Sequence, residues 1–500
     1  MFHQPRYFQL GALSLAACGL LPAVAASEDT IFAQVVQLAR KTAARPFEPS
    51  PELPPALAEL DYDGYRNIAF EHEQAVWKQE GLPFWLEFFH RGYLFRDCVK
   101  LKLVERGEAR ELDYERRYFQ YRGVLEGIEL PADLGFAGFR VLGKFATSEH
   151  YLEIASFLGA SYFRAIAEGQ FYGSSARGLA IDIGLPRAEE FPVFREFWIE
   201  KPRPESRSLK IWALLESPTA TGAYELLLTP GETTTCAVRA ELFFRETPER
   251  VGLAPITSMW MWGDGRPAPA GDPRPRVHDS DGLLVHTGDG EWIWRPLARQ
   301  PYPSLSNYDL ASVRGFGLMQ RRRELHNYAD DEAKYHLRPS IWIEPREGWR
   351  SGAVQLLELP AEHEGIDNIA AWWSPKELPR PGEPFALEYV IHFSNNMPPQ
   401  HTLAQAIAMN VERPAGEAIR LEVIFAGERL AALAAENKPE AEVSAERGEV
   451  SKIHCEKLPE GSWRLRFECR PEGTGPVESK AVLRVNQEDL SEVWRYLCPT

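Results

Sequence analysis

Aromatic and charged residues are concentrated in the middle of the chain, between Trp260 and Trp373. Eight of the 14 tryptophans lie in this stretch, among scattered aspartates, glutamates and arginines. Sugars present apolar C–H faces and rings of hydroxyl groups, so their binding sites combine flat aromatic rings with charged hydrogen-bonding groups. Any single tryptophan is better explained as a core residue of a β-rich domain. Only the clustering with Asp, Glu and Arg favours a carbohydrate site.

The carboxylates that could act as acid or base in this stretch have different local sequences. Asp367 precedes Asn-Ile and stands where a loop enters a strand. Asp279 lies in His-Asp-Ser-Asp-Gly, which is typical of an Asx-type turn with no catalytic role. Asp281 in the same turn is the obvious substitute for Asp279. Glu344, which follows Ile-Trp-Ile, is a further candidate carboxylate.

Polar and aromatic side chains near these carboxylates are candidates for substrate binding. Tyr335 could extend a chain of hydrogen-bonded water, and Arg338 could bind sugar hydroxyls. A structural role is equally open, because buried Tyr and Arg side chains nearly always have partners. Trp292 and Trp294 alternate along one strand and therefore share one face, as a sugar platform or as packed core. Trp372, close to Asp367 in sequence, is the fifth candidate binding residue.

Short segments rich in aromatic and β-branched residues follow one another from residue 68 onward, which is the signature of an all-β protein. An amphipathic helix is predicted over 28–44 before them. The segments 209–215 and 223–228 predict an antiparallel pair with a turn at Thr221-Gly222. The segment 151–168 fits a helix or a loop equally well.

Two β domains are expected from the length and the distribution of prolines. Four prolines within 374–384 read as a stiff linker, because proline cannot sit in the centre of a sheet. We therefore predict a large domain over 28–376, a linker over 377–384, and a C-terminal β-sandwich over 385–498 with strands at sandwich-like spacing.

The first 26 residues are predicted to be a signal peptide. Their apolar run is followed by Ala23-Val24-Ala25, which fits signal-peptidase cleavage. Alternatively, Leu15-Ala16-Ala17-Cys18 resembles a lipobox that would make Cys18 a lipid anchor. The remaining cysteines show no CxxC spacing, so no metal site or cofactor is expected. Cys455 and Cys469 could form a disulfide or remain unpaired. The net charge of −16 argues against a nucleic-acid partner.

A family resemblance rests on several long motifs that occur in order along nearly the whole mature chain. These motifs are SFLGASYFR (156–164), YGSSARGLA (172–180), EFPVFREFW (190–198), HDSDGL (278–283), GEWIWRPL (290–297), RGFGL (314–318) and DNI (367–369). Together they resemble the osmoregulated periplasmic glucan biosynthesis proteins of the G and D types. The resemblance implies a periplasmic protein with a large mutarotase-like β-sandwich and a smaller immunoglobulin-like one.

The resemblance also implies an activity. Some members of this family are regarded as inverting endo-β-1,2-glucanases, and by that likeness Asp367 fits the general acid and Asp279 the general base. Inversion requires one carboxylic acid at the leaving oxygen and one carboxylate that activates water. The expected partner is a β-glucan polysaccharide. A non-catalytic scaffold that holds glucan for a membrane glucosyltransferase is the alternative, and self-association into a homo-oligomer stays open.

Overall fold

A computed structural model describes residues 28–414, 418–434, 436–473 and 475–498. The predicted signal peptide at 1–26, with the alternative anchor at Cys18, lies outside the described residues. Within the described part, no helix is both long and apolar enough to cross a membrane.

The predicted N-terminal helix is confirmed as Glu28–Ala43. Its apolar side chains recur at helical spacing, so they form one stripe that can be buried. Ile31, Phe32 and Val35 pack on Trp198 and other residues of the strands beneath. The remaining helices are single turns. They are the α-helical turns Pro55–Ala58, Tyr62–Tyr65 and Glu428–Ala431 and the 3₁₀ turns His72–Gln74, Arg116–Tyr118, Gly123–Leu125, Leu325–Asn327 and Tyr335–Leu337.

One face of the molecule is a ten-stranded sheet, which we call the front sheet. In spatial order its strands are Phe84–His90, Phe136–Gly143, Leu152–Leu158, Tyr162–Ala165, Ser175–Arg177, Val251–Ser258, Ile369–Pro375, Gly352–Glu358 and Ser304–Leu310, with Leu179–Ile181 also paired to Val251–Ser258. Two small ribbons accompany it, Ile68–Phe70 with Phe119–Tyr121 and Trp260–Trp262 with Val277–His278.

A fifteen-stranded back sheet lies behind the front sheet. In spatial order its strands are Glu440–Ala445, Val477–Val485, Val493–Cys498, Trp292–Pro296, Gly282–Thr287, Val313–Met319, Ser340–Pro345, Pro384–Ser394, Thr234–Phe244, Ala220–Thr229, Leu209–Glu216, Val193–Glu200, Lys100–Glu105 and Glu108–Glu111, with Glu488–Asp489 paired to Val477–Val485.

The two sheets enclose the main apolar core. Phe139 and Phe157 of the front sheet meet Phe197 of the back sheet, with ring centroids 5.0 and 5.4 Å from it. Inner faces that interdigitate in this way define a β-sandwich. The predicted all-β fold class is confirmed.

Two segments differ in detail from their predictions. The segment 151–168 forms neither a helix nor a loop but a hairpin of Leu152–Leu158 and Tyr162–Ala165. Its three-residue turn, 159–161, places Gly159 and Ala160 at φ of 78° and 46°, the left-handed conformation that glycine adopts without steric cost. The antiparallel pair near 209–228 is confirmed, but its turn lies at 217–219. Pro218, which cannot donate to a strand ladder, accounts for the shift.

The C-terminal module does not begin at residue 385. The strand Pro384–Ser394 is hydrogen-bonded between Thr234–Phe244 and Ser340–Pro345, in the middle of the back sheet. Its alternate side chains, such as Leu387 and Ile391, are buried in the main core. The proline-rich segment 377–384 therefore crosses from the front sheet to the back sheet inside the large domain. Its last residue, Pro384, is the first residue of a strand, a position that proline tolerates.

Beyond residue 394, a four-stranded sheet covers one end of the back sheet. Its strands are Gln405–Glu412, Ile419–Ala426, Trp463–Pro471 and Gly448–Lys457. The back sheet runs without a break into this module, because Val493–Cys498 pairs in parallel with Trp292–Pro296. Cys455 and Cys469 both lie here, and neither is in a disulfide.

Candidate functional site

Asp279 is held at the floor of the candidate site by the short ribbon Val277–His278. Its backbone N–H donates to the carbonyl of Met259 at 2.8 Å. The residue is only 3% exposed. One Asp279 carboxylate oxygen accepts a hydrogen bond from the Arg338 guanidinium. A buried carboxylate paired in this way is a candidate for chemistry, because structural turns rarely bury their acidic side chain.

The surroundings of Asp279 alter its proton affinity. Burial raises the pKa of Asp279 to about 6, against the opposing effect of the Arg338 charge. The negative charge of Asp367 raises this pKa further, and Arg164 opposes it. Burial disfavours the ionised form of any carboxyl group, and a nearby carboxylate does the same. Asp279 and Asp367 therefore act on one another within one electrostatic environment.

Asp367 lies at the accessible side of the same site. Its side chain is 35% exposed, and the nearest guanidinium nitrogen of Arg164 is 3.9 Å from its Oδ2. The hydroxyl of Thr257 lies 3.5 Å from the same oxygen. These contacts are loose, so Asp367 keeps room for a substrate atom.

The neighbouring Asn368 holds Asp367 in place. Asn368 is 1% exposed. Its amide nitrogen donates to the carbonyls of Trp260 and Leu359, both at 3.0 Å, and its Oδ1 accepts the N–H of Trp260 at 2.9 Å. The loop thus enters the strand Ile369–Pro375 in one defined geometry.

Removal of the Asn368 side-chain hydrogen bonds, which we call the Asn368 clamp, is expected to lower both stability and activity. Asn368→Ala should lower the free energy of unfolding by about 2–4 kcal/mol, since each buried backbone group left unpaired costs about 1–3 kcal/mol. Urea unfolding followed by tryptophan fluorescence measures the change. The exposed Asn437→Ala provides the matched control. An unfolding curve for Asn368→Ala that overlays the wild type would contradict the clamp.

Arg338 is positioned by its own turn and by a glycine. Its Nε and Nη2 donate to the carbonyl of Ala333 at 3.2 and 3.0 Å, which aims Nη1 at Asp279. A Cβ on Gly173 would lie 2.8–3.1 Å from three carbons of the Arg338 side chain. Only glycine at this position lets the arginine stem lie flat against the neighbouring backbone.

Tyr335 lies beneath Arg338, whose guanidinium carbon is 4.4 Å from the tyrosine ring centroid. The residue is 1% exposed and packs among Met259, Met261 and Tyr328. Burial raises the pKa of Tyr335, so its hydroxyl stays protonated and able to donate a hydrogen bond. Tyr335, Arg338 and Asp279 are therefore in contact, and Asp367 is close enough to alter the pKa of Asp279.

The structure adds residues to which the sequence assigned no role. Arg164 donates from Nε to the Ser175 hydroxyl at 2.6 Å, which directs the rest of its guanidinium toward Asp367. Ser174 is bonded to Ser258 at 2.9 Å and lies 3.2 Å from Ser280, next to Asp279. The motifs 156–164 and 172–180 contain these residues. An arginine inside an otherwise apolar strand was the signal available for Arg164.

Asp281, the substitute considered for Asp279, has a different environment. Its Oδ2 accepts the backbone N–H groups of Arg321 and Arg322 at 2.6 and 3.1 Å. That arrangement is a turn held by an aspartate side chain. The Glu344 carboxylate is likewise already paired, with His392 at 2.9 Å and Arg346 at 3.0 Å.

The three predicted tryptophan platforms are buried in apolar cores and are not exposed for sugar binding. Trp292 and Trp294 are 5% and 3% exposed and pack in the core shared with the C-terminal module. Trp372 is fully buried, and its indole nitrogen donates to Gln355 at 2.9 Å. Trp292 and Trp294 do share one strand face, but that face is covered by the second module. Their placement does not support the prediction that they bind sugar.

Two carboxylates in unlike environments, each beside a guanidinium, can carry out general acid–base chemistry. Asp279 is buried and ion-paired, and Asp367 is accessible. Such a difference lets one group donate and the other accept a proton at the same pH. Within the described residues, no three or more His, Cys, Asp or Glu side chains are grouped to hold a metal ion.

Comparison with known proteins identifies the family. The profile described as "Periplasmic glucan biosynthesis protein, MdoG" matches residues 31–498. The chain is 41% identical to "Glucans biosynthesis protein G" of Rhodopseudomonas palustris, over 92% of each protein. It is 39% identical to the protein of that name from Serratia proteamaculans, over 98% of this chain and 96% of the relative. The protein from Dickeya dadantii is 38% identical, over 93% and 92% respectively. The chain belongs to the periplasmic glucan biosynthesis protein family.

Proposed function

We propose that this protein is an inverting endo-β-1,2-glucanase that shapes glucan during its synthesis in the periplasm. The observation that carries the proposal is the arrangement of two aspartates in one site, with Asp279 buried against the Arg338 guanidinium and Asp367 accessible beside that of Arg164. The periplasmic location is supported by the family's description and by the predicted signal peptide. A neutral glucan is not repelled by a chain with a net charge of −16.

The two carboxyl groups have separate tasks in this reaction. Asp367 gives its proton to the glycosidic oxygen while the bond from that oxygen to the anomeric carbon breaks. A water molecule attacks the anomeric carbon from the opposite face and loses a proton to Asp279. These two roles follow the family resemblance, and the Arg338 guanidinium favours the ionised form of Asp279 that a base requires. A solvent proton exchange then restores both groups.

Arg338 and Tyr335 support these steps. In this proposal Arg338 holds Asp279 in the productive orientation, and Tyr335 offers a hydroxyl to the water that Asp279 activates. The sequence-based expectation that Arg338 binds glucan hydroxyls is compatible with this only for guanidinium hydrogens not already donated to Ala333 and Asp279.

The decisive experiment is incubation of the purified protein with linear β-1,2-glucan. Shorter oligosaccharides should form, and ¹H NMR in the first minutes should show the α-anomer at the new reducing ends. Retained β-anomer would overturn inversion. A protein that binds the glucan without shortening it would favour the scaffold for a membrane glucosyltransferase.

The pH dependence of this activity should follow the ionisation of Asp279. A general base must be unprotonated, so kcat/KM should fall as the pH drops through about 6, the value to which burial raises the pKa of Asp279. Arg338→Met removes the charge that lowers this pKa, and the acid limb should move to higher pH. Arg338→Lys keeps a positive charge, so its acid limb should lie close to the pH of the wild-type limb. An acid limb at the same pH in wild type and Arg338→Met would exclude Asp279 as the titrating base.

A further inference from the structure

Two large aromatic side chains stand exposed near the candidate site, although the tryptophans do not. Phe171 is 46% exposed and Phe191 is 48% exposed. Phenylalanine is normally among the more buried residue types, so half-exposed rings beside the charged residues of the candidate site invite a functional explanation.

Phe171 lies at the Arg338 end of the site. Its backbone N–H donates to the carbonyl of Leu337 at 3.1 Å, within the turn that carries Tyr335 and Arg338. The Lys334 ammonium lies 4.1 Å from the ring centroid, within the range of a cation–π contact. The ring is thus supported against the turn that aims Arg338 at Asp279.

Phe191 lies at the Asp367 end. The Arg177 guanidinium lies between two rings, 5.1 Å from Phe191 and 4.9 Å from Tyr162. Arg177 itself is 2% exposed and is held by Glu189 at 2.5 Å. Tyr162 and Arg164 are two residues apart on one strand, so they share a face and connect Phe191 with the arginine beside Asp367.

A single segment, 171–177, joins these two ends across the site. Along it, Gly173 contacts Arg338, Ser174 contacts Ser258, and Ser175 contacts Arg164. Its two ends are six residues apart, so the segment spans at most about 20 Å even when fully extended. Phe171 is thus linked to the Arg338–Asp279 pair and Phe191 to the Arg164–Asp367 pair, so a linear glucan that contacts both rings must be longer than one that contacts the aspartates alone.

We propose that Phe171 and Phe191 are the outer sugar platforms of this site and determine its preference for long glucan chains. The proposal rests on the glucan-directed function proposed above. A pyranose C–H face would cover the exposed ring of each phenylalanine, while Lys334 and Arg177 hold the rings in place. Short oligosaccharides that occupy only the centre reach neither ring.

The test measures binding in the Asp367→Asn background, where turnover does not interfere. Isothermal titration calorimetry with linear β-1,2-glucans of increasing length should show that Phe171→Ala and Phe191→Ala each weaken the binding of long chains about tenfold, equivalent to about 1.4 kcal/mol. The double variant should lose about a hundredfold if the sites act independently. Binding of the shortest chains should not change.

Matched variants separate platform loss from general damage. Ile453→Ala removes an apolar side chain of similar exposure, 47%, from the C-terminal module and should bind like its parent. Phe171→Trp and Phe191→Tyr should retain long-chain affinity because they keep an aromatic face. Unfolding midpoints of all variants show whether each is folded.

The outcomes distinguish the platforms from the proposed reaction. Long-chain affinity unchanged in both alanine variants, or lost equally for short and long chains, would overturn the platforms and leave the hydrolase intact. Wild-type protein that never cleaves glucan, together with alanine variants that lose long-chain affinity, would support the platforms and overturn the hydrolase.

Discussion

Asp367→Asn is expected to lower the rate of β-1,2-glucan cleavage by about 10²–10⁴-fold, the usual contribution of general acid–base assistance. The proton of the acid is needed only as the glycosidic bond breaks, whereas the amide keeps the shape of the carboxyl group. Glucan affinity and the unfolding midpoint should therefore stay near wild type. Reducing-end assays give the rate, and calorimetry gives the affinity.

A charge control makes this result specific. Glu362 is exposed in the same loop, and Glu362→Gln removes one negative charge there without touching Thr257 or Arg164. We expect it to cleave glucan at close to the wild-type rate. If Asp367→Asn does the same, the mechanism is wrong in its central residue.

Asp279→Asn is expected to reduce turnover by a similar factor of about 10²–10⁴, because an amide cannot accept the proton of the attacking water. Asp281, two residues along the chain from Asp279, provides the comparison. Asp281 holds a turn through the backbone N–H groups of Arg321 and Arg322, and the oxygen of Asn can accept such bonds. Asp281→Asn should therefore retain most of the activity.

The reverse pattern would reassign the base. Loss of turnover in Asp281→Asn, with an unfolding midpoint like the wild type and Asp279→Asn still active, would move the base to Asp281. The two variants carry the same change of charge, so a difference between them reports position and not net charge.

Local sequence patterns predicted where strands occur better than they predicted which strands pair with one another. The alternating apolar residues of Pro384–Ser394 correctly indicate a strand. Its neighbours are Thr234–Phe244 and Ser340–Pro345, of which the first is about 150 residues earlier in the chain. Alternation shows that one face of a strand is buried, but many strands can supply the matching edge. The predicted start of the C-terminal module at 385 failed for this reason.

The tryptophans illustrate the same limit at the site. The alternation of Trp292 and Trp294 correctly places both rings on one face of a strand, yet an apolar ring suits a protein core and a sugar equally well. The packing of the C-terminal module over that face decides between the two. Phe171 and Phe191 also have aromatic neighbours in sequence, Tyr172 and Phe194, and nothing in that pattern shows which rings stay exposed.

The sequence by itself determined the all-β class and the N-terminal helix, because periodicity is a property of the chain, and its ordered motifs indicated the family. The choice of Asp279 and Asp367 as candidate base and acid came from that family resemblance. Only the tertiary structure decided which carboxylate is buried, which arginine serves which aspartate, and which aromatic rings remain open. Arg164, Arg338 and Asp367 come from segments up to about 200 residues apart. Proton affinity and exposure depend on neighbours in space, and those neighbours exist only once the sheets have packed.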